Sequence, residues 1–261
     1  MDNLFDLTGK SAIVTGGSRG IGRAIALRLA QHGARVMVSS RKLDACQKVV
    51  EEIRAAGGVA EAHAANISRK EELQALVDAT LAAFGQIDVL VCNAAVNPYF
   101  GPTQNISDEA YDRIMNANVR SNLWLCQMTI PQMAARGEGS VIFISSIGGL
   151  RGSPVLGIYG VSKAADMALA RALATEWGPK GVRINCIAPG LVRTDFARAL
   201  WEDPVTLKKR TADSPLQRIG EPDEIAGAAV FLAARASSFM TGQTIVIDGG
   251  VTAGAPRLQE E

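Results

Sequence analysis

Two side chains that could exchange a proton lie four residues apart, in the segment Tyr159-Gly-Val-Ser-Lys163. Residues at this spacing share one face of a helix, so the phenol and the ammonium would be neighbours. A phenol with a pKa of about 10 is a poor acid at neutral pH, and a nearby ammonium lowers that pKa. Ser146, thirteen residues earlier, could donate a hydrogen bond to a substrate oxygen. These residue types fit carbonyl reduction, although Tyr and Lys at this spacing also occur on ordinary amphipathic helices.

A glycine-rich turn near the start of the chain could hold a cofactor for such a reaction. The segment Thr15-Gly-Gly-Ser-Arg-Gly-Ile-Gly22 follows a short apolar run and precedes a helical pattern. Glycines let the backbone approach a pyrophosphate, and the next helix offers unpaired N–H groups and a positive dipole end. The turn has no Walker lysine, which disfavours a nucleotide triphosphatase. It therefore predicts dinucleotide contacts from Gly16, Ser18, Arg19, Ile21 and Gly22.

The residues after the second apolar run favour NADP(H) over NAD(H). An acidic residue at this place would accept hydrogen bonds from the adenosine ribose, and the segment Ser40-Arg41-Lys42 contains none. Arg41, with Lys42 beside it and Arg19 in the glycine turn, could instead bracket a 2′-phosphate. Charge-assisted hydrogen bonds of this kind contribute about 1.5–3 kcal/mol each. We therefore predict a preference for NADP(H), with a solvated basic turn as the alternative.

Alternating strand and helix patterns must position these residues. Apolar runs predict strands over 11–15, 35–39, 88–92, 140–144, 183–187 and 244–247, and helical spacing of apolar residues separates them. Near-continuous apolar strands joined by helices predict a parallel sheet covered on both faces. We expect one α/β domain over residues 1–261, a Rossmann-like doubly wound sheet of about seven strands. Its ligand should lie beyond the carboxyl ends of the strands.

The motifs, taken in order, resemble those of the single-domain short-chain dehydrogenase/reductase family over nearly the whole chain. The matching features are the T-G-x-x-x-G-x-G turn, Asn93-Ala94-Ala95, Asn118, Ser146, Tyr159, Lys163 and Pro189-Gly190. The resemblance implies that Asn118, Ser146, Tyr159 and Lys163 form a catalytic tetrad. In that tetrad Asn118 would support a proton-relay water with Lys163.

The resemblance also implies further contacts with NADP(H). Asn66 and Ile67 would flank the adenine, and Val192 and Thr194 would hold the carboxamide and phosphate. The cofactor would also contact Tyr159, Lys163, Asn93, Ala94, Ala95, Pro189 and Gly190. The chain departs from the family pattern in having Cys92-Asn93-Ala94-Ala95 where N-N-A-G is usual, and Asn66 where Asp is common. Both departures should alter packing or adenine contacts without abolishing binding. A purely structural capping role is the alternative for Asn93 and Asn118.

Within the family, residues 93–101 and 188–201 are similar to the NADP-dependent peroxisomal carbonyl and retinal reductases and their bacterial relatives. That group ends in a peroxisomal tripeptide such as S-R-L, whereas this sequence ends Arg257-Leu-Gln-Glu-Glu261. We therefore expect a cytoplasmic protein. Such relatives pair through two long helices and the last strand, so the resemblance also implies a homotetramer or a homodimer.

Apolar residues are concentrated in the loops expected around the nicotinamide. They are Pro98, Tyr99, Phe100, Leu150, Leu156, Phe196, Leu200 and Trp201. They predict an apolar or aromatic ketone or aldehyde, or the matching alcohol, as the small-molecule substrate. The alternative is that several of them only pack the loops. The segment at about 193–215 is predicted to be a lid that orders on substrate binding and excludes water.

Composition excludes several other classes. The 261 residues include 27 basic and 26 acidic side chains, so no global charge favours binding to nucleic acid or an anionic membrane. No apolar run approaches the ~20 residues needed to cross a bilayer, and the N-terminus lacks a secretory pattern. The four cysteines are dispersed and the two histidines lack neighbours at ligand spacing. We expect buried free thiols and no metal.

Several other protein classes share some of these sequence features. A 3-oxoacyl-[acyl-carrier-protein] reductase would share the fold, cofactor and tetrad, and would add a basic patch beside the cleft. An extended-type epimerase would need T-G-x-x-G-x-x-G and a longer C-terminal domain. A non-catalytic NADP(H)-binding sensor or a scaffold would need no acid or base, so Ser146, Tyr159 and Lys163 argue against both.

Overall fold

A computed structural model describes residues 3–212 and 214–254 and contains a seven-stranded parallel sheet. The strands are β1 (Ser11–Thr15), β2 (Arg35–Ser40), β3 (Val59–Ala64), β4 (Val89–Cys92), β5 (Gly139–Ile144), β6 (Val182–Pro189) and β7 (Thr244–Ile247). Their order across the sheet is β3-β2-β1-β4-β5-β6-β7. The order reverses between β1 and β4, and such a reversal opens a ligand crevice at the carboxyl ends of the strands.

Helices cover both faces of this sheet. They are α1 (Gly20–Gln31), α2 (Leu43–Ala55), α3 (Lys70–Phe84), α4 (Asp108–Met115), α5 (Ser121–Arg136), α6 (Gly157–Trp177), α7 (Pro204–Ala212) and α8 (Pro222–Ala233). Apolar residues of α1, α2 and α8 form the core on one face, and those of α3, α5 and α6 form the core on the other. The prediction of a single Rossmann-like doubly wound domain is confirmed.

Apolar runs in the sequence locate six of the seven strands, and the strand that they do not locate is β3. Its sequence is Val-Ala-Glu-Ala-His-Ala, and only Ala60 is fully buried. β3 lies at the edge of the sheet and pairs only with β2. An edge strand of this kind needs no continuous apolar run, because part of its surface faces water.

The segment from Ser107 to Arg136 forms a nearly continuous helix with one widened turn. The Ser107 hydroxyl caps α4 by accepting a hydrogen bond from the Ala110 N–H. Between α4 and α5 lies a five-residue π-helical segment, Asn116–Arg120. Single π turns inside α-helices recur at functional sites, because the extra residue changes which side chains and carbonyls face inward. Asn118 lies in this turn.

Some sequence-based predictions reach beyond what the structure describes. The terminal segment Arg257–Glu261 lies outside the described residues, as does Asp213 within the expected lid. Within the described residues, none of the helices has the length and apolar character that crossing a membrane would require.

Candidate active site

Close packing between α6 and the loop after β5 brings Ser146 to Tyr159. A Cβ atom added at Gly149 would lie 2.7 Å from the backbone nitrogen of Ala164 in α6. Glycine at this position therefore lets the loop rest directly on the helix. The Ser146 hydroxyl accepts a hydrogen bond from the Gly148 N–H at 3.0 Å, and its interaction with the Tyr159 phenol acts to lower the pKa of that phenol.

The Lys163 ammonium lies one turn further along α6 and is almost completely buried. Its Nζ is 5.9 Å from the centroid of the Tyr159 ring. It donates to the Ile144 carbonyl oxygen at the end of β5 at 2.9 Å and to the Asp166 carboxylate at 3.2 Å. An ammonium has three N–H donors, so one is left for the phenol or a cofactor hydroxyl.

Burial outweighs the lysine in its effect on the phenol. Burial raises the pKa of Tyr159, whereas the Lys163 ammonium lowers it, and the net direction is upward. The expectation that the lysine leaves Tyr159 with a lowered pKa is therefore wrong for this structure. Burial also disfavours the charged Lys163, but Asp166 and Tyr159 more than offset that effect and the pKa of the ammonium is raised.

Asn118 braces the loop after β4. Its Oδ1 accepts from the Val96 N–H at 2.8 Å, and its Nδ2 donates to the Val96 carbonyl and to Ser162 Oγ. The main-chain carbonyl of Asn118 accepts from Asn122 Nδ2 at 2.7 Å. The side chain thus has the structural role considered as the alternative, and a relay water would have to share the main-chain carbonyl.

The glycine turn between β1 and α1 has the shape that a pyrophosphate requires. Gly16 has φ of +63°, and a Cβ atom at Gly22 would collide with the Gly16 carbonyl oxygen. α1 begins at Gly20, and within the described residues no side chain caps its first turn. The unpaired N–H groups of that turn would suit an anion. Ser18 and Ile21 belong to the same turn, and the residues present fit a dinucleotide.

Asn93 holds the glycine turn in place. Its Nδ2 donates to the carbonyl oxygens of Thr15 and Gly16 at 3.0 and 3.2 Å. The Thr15 hydroxyl in turn accepts from the N–H groups of Asn93 and Ala94. The Asn93 side chain therefore braces β1 against β4, and the chain continues through Ala95 at the same edge of the sheet.

The predicted adenosine contacts lie beside this turn. The Gly17 N–H donates to the Ser39 carbonyl at 2.9 Å, so Arg41 and Lys42 follow next to the glycines, both exposed. The Ser40 hydroxyl is occupied locally, donating to the Lys42 carbonyl at 3.3 Å.

The pair predicted to flank the adenine lies beyond β3. The Asn66 side chain accepts from the Ser68 N–H, and its backbone N–H donates to Glu72 Oε2. It therefore closes a local turn at the start of α3, and Ile67 packs against the core.

The C-terminal half of the sheet supplies the other side of the cleft. Gly190 follows Pro189, and its N–H donates to the Ile247 carbonyl oxygen in β7. The backbone of Gly190 also packs closely against Asp248. Val192 is buried and bridges to Gly220.

Thr194 links the two halves of the sheet. A Cβ atom at Gly20 would lie 3.1 Å from Thr194 Cγ2, so Thr194 contacts the glycine turn. Arg19 and Asp195 form an ion pair at 3.5 Å across the same junction. The glycine turn and the segment after β6, which both contain predicted cofactor residues, therefore meet.

The apolar loop residues divide into two groups. The Phe196 ring lies 6.2 Å from the Tyr159 ring, and Phe100, Leu150 and Phe196 are exposed. By contrast, the Tyr99 hydroxyl donates to the Pro102 carbonyl and the Trp201 indole donates to the Thr194 carbonyl. The first group is available to a substrate, and the second holds the loops.

The sequence interpretation missed Asp166 and Asn122. Asp166 lies three residues after Lys163, and Asn122 lies four residues after Asn118, so helical spacing places each beside a predicted tetrad residue. That spacing was the available signal.

All four cysteines are free and buried. Among the described residues, no three or more His, Cys, Asp or Glu side chains are arranged to hold a metal ion.

These features define a nucleotide-binding α/β oxidoreductase with a Ser-Tyr-Lys constellation, and comparisons identify its family. A family model described as enoyl-(acyl carrier protein) reductase matches residues 16–252. Dehydrogenase/reductase SDR family member 4 of Bos taurus is 41% identical over 94% of this chain and 88% of its own length. The chain belongs to the short-chain dehydrogenase/reductase family and resembles its member 4 group.

Solved structures agree on the fold and differ in cofactor. A gluconate 5-dehydrogenase from Burkholderia cenocepacia in complex with NADP and tartrate is 31% identical, with a TM-score of 0.92, covering 97% of this chain and 98% of its own. A 7α-hydroxysteroid dehydrogenase complexed with NADH and 7-oxo glycochenodeoxycholic acid is 35% identical, with a TM-score of 0.91, covering 99% and 100%. Related chains therefore bind either nicotinamide cofactor.

Proposed function

We propose that this chain transfers a hydride between NADP(H) and a carbonyl or secondary alcohol, with an apolar or aromatic ketone or aldehyde as the carbonyl substrate. The observation that carries the proposal is that Tyr159 and Lys163 lie one turn apart on α6, with Lys163 Nζ 5.9 Å from the Tyr159 ring and Ser146 acting on the Tyr159 phenol. A non-catalytic sensor or a scaffold would not need an acid, a hydrogen-bond donor and a buried ammonium at that place.

The chain's own residues would handle the substrate oxygen and its proton. Bound NADPH supplies the hydride that forms the new C–H bond at the carbonyl carbon. Ser146 donates a hydrogen bond to the carbonyl oxygen, and Tyr159 gives that oxygen a proton. The raised pKa of Tyr159 keeps the phenol protonated at neutral pH, which suits an acid in the reductive direction. Phe196, against the Tyr159 ring, would help to exclude water.

The preference for NADP(H) rests on this chain's own basic residues. Arg41 and Lys42 are exposed beside the glycine turn, and Arg19 lies within it. Arg41 and Lys42 would approach a 2′-phosphate from solvent. Arg19 pairs with Asp195 at 3.5 Å, and because both side chains are exposed, Arg19 would be able to exchange that partner for the phosphate.

We further propose a lid, an assembly and a compartment. Residues at about 193–215 form the lid, whose described part includes α7 and contacts the glycine turn through Arg19 and Asp195. The assembly is a homotetramer or homodimer, in keeping with the exposed apolar side chains of Val161 and Val246 on α6 and β7. The compartment is the cytoplasm, in keeping with four free buried cysteines.

A second candidate function is the reduction of 3-oxoacyl thioesters on acyl carrier protein. Its supporting observation is a run of three exposed basic residues on α7, Lys208, Lys209 and Arg210, at the edge of the proposed lid. A basic patch of this kind could contact an acidic carrier protein.

The decisive experiment is a screen of NADPH oxidation over aromatic ketones, α-dicarbonyls, retinoids and acetoacetyl thioesters. Turnover of the apolar carbonyls supports the main proposal, and turnover confined to the thioesters supports the second. Tyr159→Phe should keep NADPH binding and lower turnover by about 10²–10⁴-fold. Undiminished turnover in that variant would show that Tyr159 is not the acid.

A further inference from the structure

A buried carboxylate that the proposed reaction does not use lies directly behind the reactive lysine. Asp166 is completely buried in α6, three residues after Lys163. Its Oδ2 accepts from the Lys163 ammonium at 3.2 Å, and its Oδ1 accepts from Asn122 Nδ2 at 2.9 Å. A carboxylate is rarely left in a protein interior unless it is paired, and here both of its oxygens have partners.

The same contacts connect Asp166 with the π-helical turn. Asn122 Nδ2 donates to the main-chain carbonyl of Asn118 as well as to Asp166. One side-chain amide therefore joins the carboxylate behind Lys163 to the carbonyl expected to hold a relay water. Together with the Ile144 carbonyl, Asp166 uses two N–H groups of the ammonium and leaves the third for the cleft.

We propose that Asp166 is a positioning residue that fixes the Lys163 ammonium and offsets its charge beside Tyr159. This inference rests on the proposed function. A lysine alone would draw the phenol towards phenolate, whereas a lysine paired with a carboxylate does so less. Asp166 would therefore keep Tyr159 a proton donor to higher pH, which favours reduction over oxidation.

The other ionisable groups around Asp166 do not replace its charge. Cys92 of β4, Cys126 of α5 and Cys186 of β6 face it from three neighbouring elements, and burial raises the pKa of each thiol, so all three are neutral. The Cys186 thiol also contacts the main-chain carbonyl of Asp166. Arg171 also faces this cluster, and its charge lowers the pKa of the Cys186 thiol against the larger effect of burial.

The sign of the effect does not depend on which group loses the proton. Tyr159 and Lys163 are coupled, so their titration belongs to the pair. Removing a buried negative charge makes the first proton loss from that pair easier. Reduction needs both the protonated phenol and the ammonium. The rate of reduction falls at high pH when this pair loses a proton. That fall should therefore begin at a lower pH once Asp166 is replaced by a neutral residue.

The test is the pH profile of kcat/KM for NADPH-dependent reduction in Asp166→Asn. We expect the high-pH decline to move down by about one pH unit, with a decrease in kcat. Asp166→Leu also removes the charge and places no N–H group against the ammonium, so it should give the same shift if the asparagine variant folds poorly. An unmoved decline in a folded variant would overturn the proposal.

A matched control separates this effect from a loss of stability. Asp88 is also buried, pairs with Arg136 at 3.3 Å and immediately precedes β4, at the amino end of the strands and away from the proposed site. Asp88→Asn should lower the unfolding temperature and leave the pH profile unchanged. If Asp88→Asn moves the high-pH decline of kcat/KM by the same amount, the effect of Asp166→Asn reflects lost stability and Asp166 has only a structural role.

A second readout needs no substrate. Tyrosinate absorbance in the near ultraviolet reports the Tyr159 titration directly, because the chain has only three tyrosines and Tyr159→Phe identifies the signal. The Tyr159 signal should titrate at lower pH in Asp166→Asn. If the Tyr159 titration does not shift in Asp166→Asn but Tyr159→Phe still loses turnover, the role of Asp166 is contradicted and the proposed function is not. Retained turnover in Tyr159→Phe contradicts the proposed function itself.

Discussion

Two ion pairs of the proposed site each join a basic side chain to an aspartate, and they differ sharply in burial. The Lys163–Asp166 pair is buried, with side chains 3% and 0% exposed, whereas the Arg19–Asp195 pair is 65% and 45% exposed. The first lies behind the phenol proposed as the acid, and the second lies where a cofactor phosphate would approach. The Lys163–Asp166 pair lies within α6, whereas the Arg19–Asp195 pair joins the glycine turn to the segment after β6.

The difference in burial determines what each pair can do. In the interior the attraction between charges is large, and so is the penalty for leaving either charge alone. In water the attraction is screened and either partner can exchange for another ion. A buried pair is therefore suited to fixing a proton donor, and an exposed pair is suited to releasing its cation to a ligand.

The largest expected effect comes from removing the buried cation. Lys163→Met leaves Asp166 buried without its partner, and breaking such a pair lowers the free energy of unfolding by about 3–5 kcal/mol. Turnover should fall by about 10²–10⁴-fold, because the phenol loses its neighbouring ammonium. Urea denaturation and steady-state kinetics measure the two effects separately.

The double variant Lys163→Met/Asp166→Leu is the control for this prediction. It removes both charges together, and replacing a buried pair by apolar residues is often neutral. It should regain most of the lost stability and none of the lost turnover. A double variant as unstable as the single one would contradict the view that the unpaired carboxylate causes the loss.

An intermediate effect on cofactor use is expected from the exposed basic residues beside the glycine turn. Arg41→Ala should lower kcat/KM for NADPH by about 10–100-fold, because one charge-assisted hydrogen bond to the 2′-phosphate is lost. kcat/KM for NADH, which lacks that phosphate, should stay unchanged. Lys48→Ala removes the same charge from an exposed site on α2 and should affect neither cofactor. An equal loss with both cofactors in Arg41→Ala would contradict a 2′-phosphate contact.

The same contrast between buried and exposed surroundings explains which parts of the fold the sequence could predict. Central strands such as β4 are buried along their whole length, so their apolar runs are visible in the sequence. β3 lies at the edge, alternates small and polar residues and was missed. The π turn at Asn116–Arg120 was also missed, because it depends on how one helix packs against another rather than on a local residue pattern.

Of the proposed site, the sequence predicted which side chains lie together but not the balance of charge among them. The four-residue spacing of Tyr159 and Lys163 was sufficient to place them on one helix face. Ser146 reaches Tyr159 only through the packing of its loop on α6. The direction of the Tyr159 pKa was not predictable, because it is the difference between burial and a neighbouring charge. Asp166 was missed because an acidic residue on a helix normally faces water, and only the packed structure shows it inside.

The smallest expected effect comes from the exposed carboxylate. Asp195 accepts from Arg198 at 2.7 Å and lies 3.5 Å from Arg19, and these arginines hold its pKa below the usual value. At neutral pH it is charged and would compete with the proposed 2′-phosphate for Arg19. Asp195→Asn should therefore lower the KM for NADPH by about two- to threefold at low salt.

High salt should abolish this difference, because an exposed pair is screened within about 10 Å at 0.1 M ionic strength. Glu202→Gln makes the same change of charge on the proposed lid and should leave the KM for NADPH unchanged. If Asp195→Asn instead raises the KM, then Asp195 orders Arg19 for the phosphate rather than competing for it. The exposed pair would then resemble the buried one in positioning its cation, and burial alone would no longer distinguish the two.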